Sequence, residues 1–163
     1  MSWSTIEFGD HIANAHDWEQ ILFMSLAPVC LDSLEEFRDS RWLHHWKDYW
    51  ITHKATHGNG CSDIGLHTHL TSERKIAEFR RFLSRYTEWI RGFGTEIPVN
   101  HINEFIGLGT SMRMEKLCQT DELEQFVTKI LALLDGSPHR SIHQRTQTRA
   151  EHAEGGKASP ATS

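Results

Sequence analysis

The sequence predicts an all-α fold: a single helical domain of four to six helices followed by a disordered C-terminal tail. Three observations carry this expectation. Apolar residues recur at three-to-four spacing in several stretches, helix-ending residues fall between those stretches, and no segment has convincing strand alternation. The 163 residues suffice for one domain, taken as 1–136, with 137–163 as a polar tail.

A first helix is expected from Asp10 as N-cap, with Ile12, Ala15, Trp18, Ile21, Leu22, Ser25 and Leu26 along it and Pro28 at its end. A second starts at "DSLEEF", where Ser33 and Glu36 have the spacing of a capping box, and runs on through "RWLHHWKDYWITHKATH". Trp42, Trp46, Tyr49 and Trp50 fall on one side of it, at i, i+4, i+7 and i+8. A stripe of this kind is ordinarily a core face. Its other use is a docking surface, because Trp and Tyr are favoured binding anchors.

Gly58 and Gly60 close that helix, and Thr71 is the expected cap of a third. Ile76, Phe79, Leu83, Tyr86, Ile90 and Phe93 would form its buried face, and Glu73, Arg74, Arg80, Arg81, Arg85 and Glu88 its solvated one. "GFGTEIPVN" interrupts the helical pattern, with "EIPVN" suited to a short extended piece. Asn100 can cap a short helix through "HINEFIGLG", and "SMRMEKLC" reads as a turn or short helix. Thr120 opens the last helix, which has acidic residues in its first turn and Gly136 at its stop. Beyond Gly136 the only large apolar residue is Ile142, too little burial to offset the entropy of ordering the chain. Arg140, Arg145 and Arg149 make the first half of this tail mildly basic.

Composition narrows the function classes. Six Trp and eight Phe can build a core without staples. Cys30, Cys61 and Cys118 are odd in number and lack a C-x-x-C pair, which argues for a reducing compartment and a cytoplasmic location. The N-terminus has neither the basic start nor the apolar run of a leader, and no stretch has the length of a membrane span, so no membrane partner is expected. A formal net charge of −5 disfavours nucleic acid. The 12 histidines titrate near pH 6.5, so solubility should fall in mildly acidic buffer.

One stretch has the composition of a metal site: "HKATHGNGCSDIGLHTH", residues 53–69. His53 and His57 are four apart at a helix end, and His67 and His69 are two apart, so an extended loop would point both to one side. With the Cys61 thiolate, two such pairs can complete a tetrahedral zinc site. The histidine background, the lack of a second nearby cysteine and the stabilising place of His57 at a helix end weigh against it. The leading expectation is no cofactor, with zinc as the alternative.

The remaining motifs lack the context their chemistry needs. Cys61 has no nucleophile signature around it, and "GNGCSDIG" follows a helix and lacks the lysine of a phosphate loop. "DIGLHTH" resembles the D-x-H-x-H of amidohydrolases, but helices rather than barrel strands flank it. Arg38 with His44 or His45, and Arg145 with His152, are spaced as in small helical ribonucleases, at the frequency this composition produces by itself. His101 and Glu104 supply one H-x-x-E pair where a di-iron bundle needs several. A non-catalytic protein is therefore expected, one that binds another protein in the manner of an immunity protein, antitoxin or adaptor. Trp42, Trp46, Tyr49 and Trp50 are its candidate interface. The alternative is a zinc-binding module or metal-dependent enzyme using His53, His57, Cys61, His67 and His69.

Overall fold

A computed structural model describes residues 3–56, 63–98 and 118–136, together with Asn100 and Ile102. Through these residues the chain is mainly helical, but it also contains two small antiparallel sheets, which corrects the all-α expectation.

The first correction lies at the start. β1 (Trp3–Phe8) and β2 (His11–His16) form a hairpin in which Phe8 pairs with His11 and Trp3 with His16. Gly9 occupies the first turn position at φ +59°, a conformation that costs glycine little. Asp10 is thus a turn residue rather than a helix cap. Alternation decides the register: Ile6, Ala13 and Ala15 are buried, whereas Trp3, Ile12 and Asn14 face out.

α1 (Asp17–Ser33) begins six residues later than expected, with its N-cap at His16 instead of Asp10, and continues through Pro28. Proline forfeits one helical hydrogen bond, but Cys30 and Leu31 beyond it are buried, and their packing offsets the loss. The first turn is capped from within: the His16 backbone N–H donates to Glu19 Oε2 at 2.8 Å. Lys129 approaches the same carboxylate at 2.8 Å. α1 is buried on nearly every side and forms the axis of the domain, with Phe23 touching Trp50, Tyr86 and Phe126 at ring-centroid distances of 5.4, 5.2 and 5.7 Å.

The expected Ser33–Glu36 capping box does not form. Ser33 ends α1, its hydroxyl donating to the Cys30 carbonyl at 2.7 Å. A 3-10 turn (Glu35–Phe37) then inserts Phe37 into the core against Phe82, and α2 (Arg41–Thr56) starts afresh after Ser40. α3 (Leu66–His69) is one short turn. α4 (Glu73–Arg91) is capped by Ser72, one residue beyond the expected Thr71. It buries Phe79, Phe82, Leu83, Tyr86 and Ile90. Its charged face is exposed as expected at Glu73, Arg74, Arg81, Arg85 and Glu88, and part of it also pairs with neighbours: Arg80 meets Asp135 at 2.7 Å and Arg85 meets Glu36 at 2.7 Å.

The extended piece expected in "EIPVN" is present as β3 (Glu96–Ile97), paired with β4 (Cys118–Gln119). α5 (Thr120–Leu134) follows, held to the preceding turn by the Thr120 N–H to the Thr95 carbonyl at 3.0 Å. Gly136 ends it at φ +69°. Of the short helix expected after Asn100, only Asn100 and Ile102 are described, both helical and Ile102 buried; the "SMRMEKLC" turn apart from Cys118 and the tail 137–163 lie outside the described residues. Among the described helices none is long and apolar enough to cross a membrane.

Candidate functional site

α2 sets out a row of aromatic rings whose members differ in environment. Trp46 and Trp50 lie 4.8 Å apart, are fully buried, and donate their indole N–H groups to one acceptor, the Ile64 carbonyl, at 2.8 and 3.0 Å. A buried indole needs such a partner, and this pair of hydrogen bonds fixes the Ile64 backbone against α2. Both residues are therefore core, out of reach of a partner's surface. Trp42 and Tyr49 are half-buried and keep accessible edges. Trp42 donates to Glu78 Oε2 at 2.8 Å and carries the Lys75 ammonium 5.5 Å from its ring centroid. The Tyr49 hydroxyl donates to the Asp63 carbonyl at 3.3 Å, and the His53 ring stacks on Tyr49 at 3.6 Å.

A local turn brings the histidines of the loop to this row. Asp63 accepts the Gly65 N–H at 2.8 Å, and Gly65 caps α3 at φ +80°. A Cβ at Gly65 would lie 3.0 Å from His69 Cδ2 and 3.0 Å from Tyr49 Cε1, so glycine is needed for both conformation and space. His69 consequently stacks on Trp46 at 5.1 Å, meets Tyr49 at 5.0 Å and approaches His45 at 6.4 Å. Its Nε2 is buried without a hydrogen-bond partner. Burial, then the neighbouring His45, Lys75 and His53, hold the His69 pKa below its ordinary value, with Asp63 opposing. Burial, and secondarily Asp63, pushes the Tyr49 phenol up.

The expected metal set is not assembled among the described residues. His67 is exposed, and because it sits two positions before His69 on a helical turn, the two rings diverge by about 200° instead of sharing one side. An extended loop was expected; the chain is helical there. His53 reaches the Tyr49 carbonyl at 3.2 Å. His57 and Cys61 lie outside the described residues. Among those described, no group of three His, Cys, Asp or Glu side chains can hold a metal. Cys30 and Cys118 are buried thiols raised to about 12, protonated and unsuited to attack.

A groove of about 630 Å³ opens beside Trp42, where the N-terminal ends of α2 and α4 come together. Ser40, Arg41, Arg74 and Lys75 contribute to its wall, along with Glu78. Sequence periodicity placed Arg74 on a solvated face and did not single out the others. Nothing local links Trp42 to Glu78, 36 positions away; only helix packing does. Compared with models of protein families, with characterised proteins and with solved structures, the chain matches none.

Proposed function

We propose that the protein acts by binding another protein, without catalysis, through the outer flank of α2 that Trp42 and Tyr49 edge. The observation that carries this reading is the division of the aromatic row. Trp46 and Trp50 are locked in the core, while Trp42 and Tyr49 remain accessible and held by side-chain hydrogen bonds. Rigid aromatic anchors lose little entropy on docking, which suits them to carry binding energy. The role is that of an immunity protein, antitoxin or adaptor. Capture from native extract tests it: one identified protein should be retained by the wild type and lost by W42A/Y49A at unchanged fold. Equal retention by both would refute the reading.

A metal-binding module using His53, His57, Cys61, His67 and His69 is the second reading, favoured by the buried Nε2 of His69, which has no hydrogen-bond partner among the described residues; a complete site needs His57 or Cys61, since the described residues alone do not assemble one. Zinc is the expected ion for such nitrogen donors. Elemental analysis of untagged protein should then find about one zinc per chain, lost in H69A. Metal-free protein purified without chelators would remove this reading.

A further inference from the structure

The groove beside Trp42 has an electrostatic asymmetry that its residue count conceals. Three cations, Arg41, Arg74 and Lys75, face three carboxylates, Glu36, Asp39 and Glu78. One of the carboxylates is already offset by cations, and a second is hydrogen-bonded but keeps its charge. Glu36 is held by Arg85 at 2.7 Å and Arg81 at 3.9 Å from outside the groove, and Glu78 accepts the Trp42 indole N–H at 2.8 Å. The cations are not so engaged: among the described residues Arg41, Arg74 and Lys75 have no carboxylate partner within ion-pair distance. Among the described residues Lys75 is held by the Thr71 hydroxyl at 3.2 Å and the Trp42 ring. Asp39 and Glu78, whose indole donor is neutral, oppose them.

The wall therefore offers more uncommitted positive than negative charge around an accessible indole. Small-molecule sites enclose their ligand, whereas this groove is open, with charged and hydroxyl-bearing residues around Trp42 and mostly apolar surface from the indole and side-chain stems between their polar ends. Those features match a segment of a protein surface, with an aromatic anchor surrounded by a polar rim.

We infer that this groove receives an acidic peptide segment of the partner, its carboxylates meeting Arg41, Arg74 and Lys75 and an apolar side chain lying against Trp42. The inference rests on the binding function proposed above and names the chemistry of its partner. Because the chain as a whole carries −5, recognition of an acidic segment is local, and added salt weakens it through the short-range charge pairs.

The test uses the full chain and three probes: a labelled peptide alternating glutamate and phenylalanine, the same peptide with glutamine for glutamate, and inorganic phosphate. Anisotropy gives affinity, and the Trp42 indole N–H resonance gives location. The acidic peptide should shift that resonance and bind at least about tenfold tighter than the glutamine peptide. R74E should weaken it by about tenfold, while R91E, with the same change in net charge at the far end of α4, should not. Equal binding of the two peptides, equal effects of R74E and R91E, or an equal shift with phosphate alone would each overturn the inference. If the peptides fail while W42A/Y49A still abolishes capture of the partner, the partner's chemistry is wrong and the binding function stands. If neither effect occurs, both fall.

Discussion

Gly65 shows how one residue sets the candidate site. Its φ of +80° is costly for any side chain, and a Cβ would press on His69 and Tyr49 at 3.0 Å. Gly65→Ala should therefore cost at least about 2 kcal/mol, from left-handed backbone and overpacking together, measurable by chemical denaturation. The sequence displays this glycine only as one of several in a connector, because the demand on it comes from rings on another element. His69 gives a pH prediction. Its folded pKa lies below the ordinary 6.5, so between those two values the unfolded chain binds more protons. Stability should fall as pH drops from about 7 through 6.5 toward the folded value, and His69→Gln should flatten that decline. The buried thiols of Cys30 and Cys118, raised to about 12, should resist a thiol reagent in the native protein and react once it is denatured. Mass spectrometry after alkylation reads the difference at each residue.

Among the elements, helices with one strongly apolar face were legible, as were the body of α2 and the extended piece of β3, whereas the hairpin, the 3-10 turn and the ends of α1 were not. α4 and α5 stand where their periodicity put them, because each buries a single stripe and ends at a clear stop. The hairpin was missed because Ile12, Ala15 and Trp18 mimic helical spacing, although Ile12 is in fact exposed and Ala13 buried. The overlooked signal was Gly9-Asp10 between two six-residue runs. α1 was misjudged at both ends because a helix buried all round has no stripe to delimit it, and burial outweighs Pro28. Its link to α5 gives a prediction at this scale. Glu19 is 7% exposed and Lys129 lies 2.8 Å away, so Lys129→Met should leave a shielded carboxylate without its counter-charge. A loss on the order of 2–4 kcal/mol is expected in thermal or chemical unfolding.

At the scale of the molecule, the core and the proposed interface share one aromatic row, and the sequence cannot tell which ring belongs to which. Spacing along α2 puts Trp42, Trp46, Tyr49 and Trp50 on one side; only the approach of the Ile64 carbonyl divides them. Truncation should separate the roles. Trp46→Ala should cost about 3–5 kcal/mol of stability as a core deletion. Trp42→Ala, at a half-buried site, should cost much less stability and act instead on binding. The same dependence on packing separates His67 from His69: they stand two apart in the sequence, but a single helical turn sends one to solvent and the other onto Trp46. The most direct measurement is calorimetric titration of the captured partner against wild type and W42A/Y49A, with near-ultraviolet circular dichroism confirming the fold of both. A loss of about 2 kcal/mol or more, roughly thirtyfold in Kd, is predicted. Unchanged affinity in a folded double variant would contradict the account.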